Sequence, residues 1–137
     1  MPVWYKYSGE KGEIGYQEII YLNAIKNFKI MNLENTKAQM RKGILEYCIL
    51  LNLSKKPSYA SDIIAEMKVA QMIVVEGTLY PLLTRLKNDG YLGYRWEESL
   101  QGPPRKYYEL TQDGKLFLNE LDMAWGELVE AINQIKK

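Results

Sequence analysis

The sequence predicts a mainly α fold carrying one small β-hairpin, and three observations predict it. Apolar residues recur at helical spacing in three successive segments between Ala38 and Leu86. Two aromatic segments of alternating polarity then flank a Gly-Pro-Pro stretch. The final segment, from Leu118 to Ile135, keeps a heptad seam. A chain of 137 residues has room for one domain with an extra terminal element, and can bury a core without disulfides or metals.

Composition removes several function classes. Hydrophobic residues make up 47% and charged residues 26%, ordinary values for a soluble globular chain. Cys48 is the only cysteine, so no intrachain disulfide forms. No apolar run approaches the roughly 18 residues of a membrane span, and Met1 to Ile30 lacks the pattern of a signal peptide. A cytoplasmic location with no membrane partner is expected. The chain has no histidine, which removes the commonest general base and metal ligand. It also lacks GxGxxG, GxxxxGK[ST] and CxxC motifs. No catalytic residue, metal or cofactor is expected, and the chain does not read as an enzyme.

Net charge is only +1, but it is unevenly spread. Residues 31–107 hold 11 basic and 8 acidic side chains, whereas residues 108–137 hold 3 and 6. A solvated surface could show this split by chance.

The elements follow in order. Residues 1–30 differ from the rest: Trp4, Tyr5 and Tyr7 adjoin Gly9, Gly12 and Gly15, and Tyr16 to Ile30 reads as a short helix or a strand. Met31 is expected to be the biological start, with residues 1–30 an upstream extension; an arm packed on a dimer is the rival. Residues 35–53 read as a helix capped by Asn35 or Thr36, with Ala38, Met40, Ile44, Leu45, Cys48, Ile49 and Leu51 facing inward. Pro57 ends it. Ser58 is expected to cap a second helix over Tyr59–Val69, burying Ala60, Ile63, Ile64 and Met67. A third helix covers Leu79–Asn88, with Leu79, Leu82, Leu83 and Leu86 inward, Pro81 in its first turn and Asp89-Gly90 as its stop. Tyr91–Glu98 and Lys106–Leu110 form the hairpin strands around a loop, Ser99–Arg105. Tyr94, Trp96 and Tyr108 are expected to pack that hairpin onto the domain. Three helices followed by a hairpin is the order of a winged helix-turn-helix, placed here at residues 31–110.

Thr111 caps the last helix, residues 111–137. Leu118, Leu121, Trp125, Leu128, Ile132 and Ile135 lie 3, 4, 3, 4 and 3 residues apart, the a/d spacing of a two-stranded seam. At 1.5 Å per residue this helix reaches about 35–40 Å, too far for so small a core to cover. The seam therefore predicts dimerisation, with packing on the chain's own first helix as the alternative.

Three stretches resemble the PadR family of bacterial transcriptional regulators: Arg41-Lys42-Gly43-Ile44-Leu45-Glu46, Glu76-Gly77-Thr78-Leu79-Tyr80-Pro81-Leu82-Leu83, and Gly102-Pro103-Pro104-Arg105-Lys106-Tyr107-Tyr108-Glu109-Leu110-Thr111-Gln112-Asp113-Gly114. The resemblance covers Asn35 to Ile135, and the single C-terminal helix is similar to the shorter subgroup. Where the family carries glycine after a tyrosine at the start of its second helix, this chain reads Tyr59-Ala60-Ser61.

The resemblance implies a homodimeric repressor of transcription that binds an inverted-repeat operator in double-stranded DNA. With the leucines of the third helix turned inward, Thr78, Tyr80, Thr84 and Arg85 are left for the major groove. Arg105 and Lys106 adjoin the hairpin tip and would meet phosphates or the minor groove, unless Glu97 or Glu98 pairs with Arg105. Lys37, Arg41, Lys42, Lys55 and Lys56 are further phosphate candidates. Two readings stay open for Trp125: dimer core, which the seam favours, and one wall of a site for a small aromatic effector, which the resemblance implies. Two rival functions also stay open, a ligand-sensing module with weak DNA binding and a protein-interaction winged helix. Replacing Tyr80 or Arg105 discriminates them.

Overall fold

The computed structural model describes residues 15–137; the aromatic and glycine-rich positions from Trp4 to Gly12 lie outside the described residues. The elements run α1 (Tyr16–Lys55), β1 (Ser58–Tyr59), α2 (Ala60–Val69), α3 (Glu76–Asn88), β2 (Leu92–Ser99), β3 (Gly102–Leu110) and α4 (Gln112–Lys136). Two compact units divide between Lys42 and Gly43.

In the first unit, α1 settles the Tyr16–Ile30 ambiguity as helix and passes through Met31 without a break. The expected start at Asn35 or Thr36 is therefore corrected. Both residues lie inside the helix, where the Thr36 hydroxyl donates to the Asn32 carbonyl at 3.0 Å instead of capping. Ile19, Ile20, Leu22, Phe28, Ile30, Met31 and Leu33 are exposed, and so is Met40, expected to face inward.

In the second unit, the core is built from one face of each helix. Leu45, Ile49, Leu50 and Leu53 of α1 meet Ala60, Ile63 and Met67 of α2, and Leu79, Leu83 and Leu86 of α3. Val74, Leu92, Tyr108 and Leu118 close the cluster. Each fully buried Leu or Ile contributes about 1.5–3 kcal/mol. Ile44, Cys48 and Leu51 are only half-buried, and burial pushes the Cys48 thiol above its ordinary pKa.

Two helix starts differ from expectation. Ser58 is buried in a strand rather than capping α2; the Asp62 carboxylate does that work, accepting the Tyr59 backbone N–H at 3.2 Å. α3 begins three residues early, at Glu76, so Pro81 sits in its second turn. The ring removes the bond that Gly77 C=O would receive, but Gly77 is exposed and water can serve it. The stop is as expected. Gly90 adopts φ 87°, and Tyr91 N–H reaches back to Leu86 C=O at 3.0 Å, closing α3 with a left-handed cap.

The sheet has three antiparallel strands in the order β1-β3-β2. The hairpin turn is only Leu100-Gln101, so Pro103, Pro104 and Arg105 belong to a strand and not to the expected loop. Register explains how prolines enter it. Glu97 faces Arg105 and Ser99 faces Gly102, leaving Glu98 opposed by two prolines, a bulge where no ladder hydrogen bond is owed. β1 pairs β3 only at Tyr107 and Tyr108, so the proline end has no third strand beside it.

Thr111 caps α4 as expected, its hydroxyl oxygen accepting Gly114 N–H at 3.0 Å. Leu118 is buried and Leu121 half-buried, but Trp125, Leu128, Ile132 and Ile135 are 41–83% exposed. Tyr47 of α1 donates its phenolic proton to Asp122 of α4, and its ring lies 6.3 Å from that of Trp125. That hydrogen bond, with burial second, pushes the Tyr47 pKa up to about 12. The folded chain therefore holds the proton more tightly than the unfolded chain, whose phenol keeps its ordinary value of 10.0. Stability from this bond is complete below pH 10 and fades as pH rises toward 12. The gap in urea midpoint between wild type and Tyr47→Phe should narrow across that window.

Candidate nucleic-acid interface

Local chemistry places three elements around one cleft. The α3 leucines are drawn into the core, which leaves Tyr80 and Thr84, one turn apart, on the opposite side. α2 begins beside them at Ala60 and Ser61, and the hairpin, or wing, forms the far wall with Trp96, Pro104, Arg105 and Lys106. The cleft holds about 460 Å³. Four residues expected from sequence, Tyr80, Thr84, Arg105 and Lys106, thus meet in one place.

The two wing cations are held by aromatic faces. The Arg105 guanidinium lies 4.0 Å from the Tyr59 ring centroid and donates from Nη1 to Ser61 Oγ at 3.4 Å. Lys106 Nζ lies 4.5 Å from the Tyr94 ring and 5.5 Å from that of Trp96. Among the described residues, neither cation has a carboxylate within ion-pair distance. The expected alternative, Arg105 paired with Glu97 or Glu98, is not what the side chains do: Glu97 pairs with Arg95 at 2.8 Å. A cation on a ring keeps its charge and its outward donors, so both remain able to bind an anion.

The other expected residues are placed differently. Arg85 is exposed but ion-paired with Glu46 of α1, and Thr78 is half-buried and does not line the cleft. Lys37, Arg41 and Lys42 belong to the first unit, where Lys37 pairs with Glu34 at 3.4 Å. Lys56 pairs with Glu66 at 3.4 Å.

Sequence reasoning missed Tyr59, Ser61 and Glu76, and it put Trp96 on the wrong side of the ledger. Tyr108 is buried and Tyr94 half-buried, as expected for rings that seat the hairpin, but Trp96 is 62% exposed in the cleft. Burial also pushes the Tyr108 phenol above its ordinary pKa. Tyr59 and Ser61 sit where the chain departs from the PadR pattern, which was the available signal. Among the described residues, Glu76, in the first turn of α3, is the one carboxylate lining the cleft.

Comparison with known proteins accords with this geometry. The model of the transcriptional regulator PadR-like family matches residues 49–120. A PadR-like transcription factor from Bacteroides fragilis is 66% identical, the match covering 74% of this chain and 98% of that one, with a TM-score of 0.64. A PadR-like transcriptional regulator from Bacillus cereus is 34% identical, covering 72% and 97%, with a TM-score of 0.64. A PadR family transcriptional regulator from Eggerthella lenta is 28% identical, covering 77% and 88%, with a TM-score of 0.68. The family match alone spans more than half of the 137 residues, and the chain belongs to the PadR-like family of transcriptional regulators.

Proposed function

We propose that this regulator binds an inverted-repeat operator in double-stranded DNA as a homodimer and represses transcription there. The observation that carries the reading is the convergence of Tyr80, Thr84, Arg105 and Lys106 on one cleft, with neither cation ion-paired to a carboxylate among the described residues. Tyr80 and Thr84 would enter the major groove on α3, while the wing sets Arg105 and Lys106 against flanking phosphates. Thr78 at the start of α3 and Lys37, Arg41 and Lys42 on α1 are outlying candidates for backbone contact. Arg85 joins them once it leaves Glu46; an exposed pair of this kind holds it by about 1 kcal/mol or less.

The domain division that goes with this reading keeps residues 31–110 as the DNA-binding domain and 111–137 as the dimerisation helix, in a cytoplasmic protein. Leu118 of the expected seam is taken up by the chain's own core and Leu121 is half-buried against it. Two-fold pairing would therefore run through Trp125, Leu128, Ile132 and Ile135, with Leu121 at its edge, and hold two α3 helices about 34 Å apart, one turn of B-DNA. The apolar seam left exposed beyond Leu121 supports it. Trp125, 41% exposed beside the Tyr47 ring, favours a second layer of the reading: a flat aromatic effector bound there would shift the spacing of the two α3 helices.

The test is selection of duplexes from random DNA by the purified chain, followed by titration of the selected site. A palindrome should emerge, and Tyr80→Ala and Arg105→Gln should each weaken binding by roughly 10-fold. Arg105→Gln should also flatten the dependence of log affinity on log salt by about 1.8, one phosphate's share for each wing of the dimer. Unselective recovery of DNA, or wild-type affinity in both variants, would overturn the proposal in favour of a protein-interaction module.

A further inference from the structure

The outer face of the wing carries two arginines in similar settings but with opposite fates. Arg95 lies 4.6 Å from the Tyr107 ring and Arg105 lies 4.0 Å from the Tyr59 ring; those two rings meet edge to face at 4.9 Å. Arg95 takes Glu97 at 2.8 Å and Glu109 at 3.6 Å, and these contacts with Glu97 foremost raise its pKa further. Among the described residues Arg105 takes no carboxylate, although Glu97 is its direct partner in the strand register.

That register makes the outcome informative. Side chains directly opposed on one face of an antiparallel pair stand about 4.5–5.5 Å apart at Cβ, close enough for an arginine and a glutamate to pair. Glu97 instead turns along its own strand to the residue two positions before it. Arg95, which does not line the cleft, thereby absorbs the acid that would neutralise Arg105, which does.

We infer that Arg95 is a positioning residue for DNA binding: by holding Glu97, it keeps the Arg105 guanidinium free to clamp a DNA phosphate. This rests on the DNA-binding reading above and adds to it a residue that need not touch DNA. Tyr59 and Ser61 fix the guanidinium over the start of α2, and the donors not spent on Ser61 are left for the phosphate. Removing Arg95 releases Glu97 to its cross-strand neighbour, which converts the phosphate ligand into half of an internal pair.

The experiment uses the full chain and a mixed-sequence duplex of roughly 30 bp, about three helical turns, titrated at several salt concentrations, because a phosphate contact needs no particular sequence. Arg95→Gln should bind roughly 10-fold more weakly, with the salt slope flattened by about 1.8, one phosphate for each wing of the dimer, mimicking Arg105→Gln. The double variant Arg95→Gln/Glu97→Gln should return to within about twofold of wild type in both affinity and slope. Glu97→Gln alone should bind at least as well as wild type, and Arg95→Lys should retain most binding because it can still pair with Glu97. If Arg95→Gln binds normally, or if the double variant stays as weak as the single, the inference is overturned; the second result would mean that Arg95 meets DNA itself or merely braces the wing. A wild-type chain that ignores the duplex would overturn the DNA-binding reading instead.

Discussion

Replacing Gly114 with alanine is expected to destabilise the fold by roughly 2–4 kcal/mol and to lower its melting temperature by about 10 °C. A Cβ built on Gly114 would sit 2.1 Å from the Tyr91 carbonyl oxygen and 3.0 Å from its carbon. The obstacle is backbone, and backbone held on several sides. Tyr91 C=O accepts Thr111 N–H at 3.1 Å, the Thr111 hydroxyl donates to Gly90 C=O at 2.6 Å, and the Tyr91 ring stacks on Phe117 at 4.1 Å. Relief by moving α4 would break its cap; relief by moving Tyr91 would pull on the end of α3. Gly126 provides the control, because it lies in the same helix with nothing within 4 Å of its built Cβ. There alanine should stabilise by about 1 kcal/mol or less, through helix propensity alone. Thermal unfolding followed by circular dichroism checks the pair. Two substitutions of the same kind in one helix should move the melting temperature in opposite directions, and a Gly114→Ala protein that melts with wild type would contradict the packing of α4 on the wing's base.

This junction was legible in the sequence because its signals are local. Thr111 three residues before Gly114 reads as a cap, and Asp89-Gly90 reads as a stop, since each depends on neighbours within one turn. The leucine stripe of α3 was legible for the same reason. What failed had a common cause, a signal that is correct locally but outweighed by context. Asn35 and Thr36 look like caps, yet the residues before them are already helical and leave no orphan N–H groups for a cap to satisfy. Pro103 and Pro104 look like loop, yet a bulge opposite β2 with no third strand on the other side accommodates both. Trp96 alternates with Tyr94 as a packing residue should, but it lies farther out along β2, where less of the domain remains beneath it. The cleft itself could be assembled from residue types but not its charge state. Glu46 meeting Arg85, and Arg105 settling on Tyr59, join residues 39 and 46 positions apart, and no spacing rule reaches that far.

The seam of α4 gives the prediction with the greatest effect on function. Leu128→Lys is expected to turn a dimer into a monomer at micromolar concentration and to reduce operator affinity by roughly 10²–10⁴-fold. That range is the gain from engaging two half-sites together rather than one. Leu128 is 55% exposed and lies beyond the last α4 residue in the buried core, so the substitution takes nothing from the fold of a single chain. Lysine is a good helix former, so α4 itself should persist. In a paired seam, however, the ammonium would replace an apolar contact near the two-fold axis and face its own symmetry mate, losing burial and adding repulsion at once. Glu127→Lys makes the comparison fair: it adds a lysine one position away and off the seam, at an exposed site. Sedimentation should show Glu127→Lys assembled and Leu128→Lys as single copies, with nearly equal far-ultraviolet dichroism. If Leu128→Lys sediments and binds DNA as wild type does, pairing does not run through the outer half of this helix. The exposed apolar positions from Trp125 to Ile135 would then need another explanation, and the half-site arithmetic that links α4 to operator affinity would lose its basis.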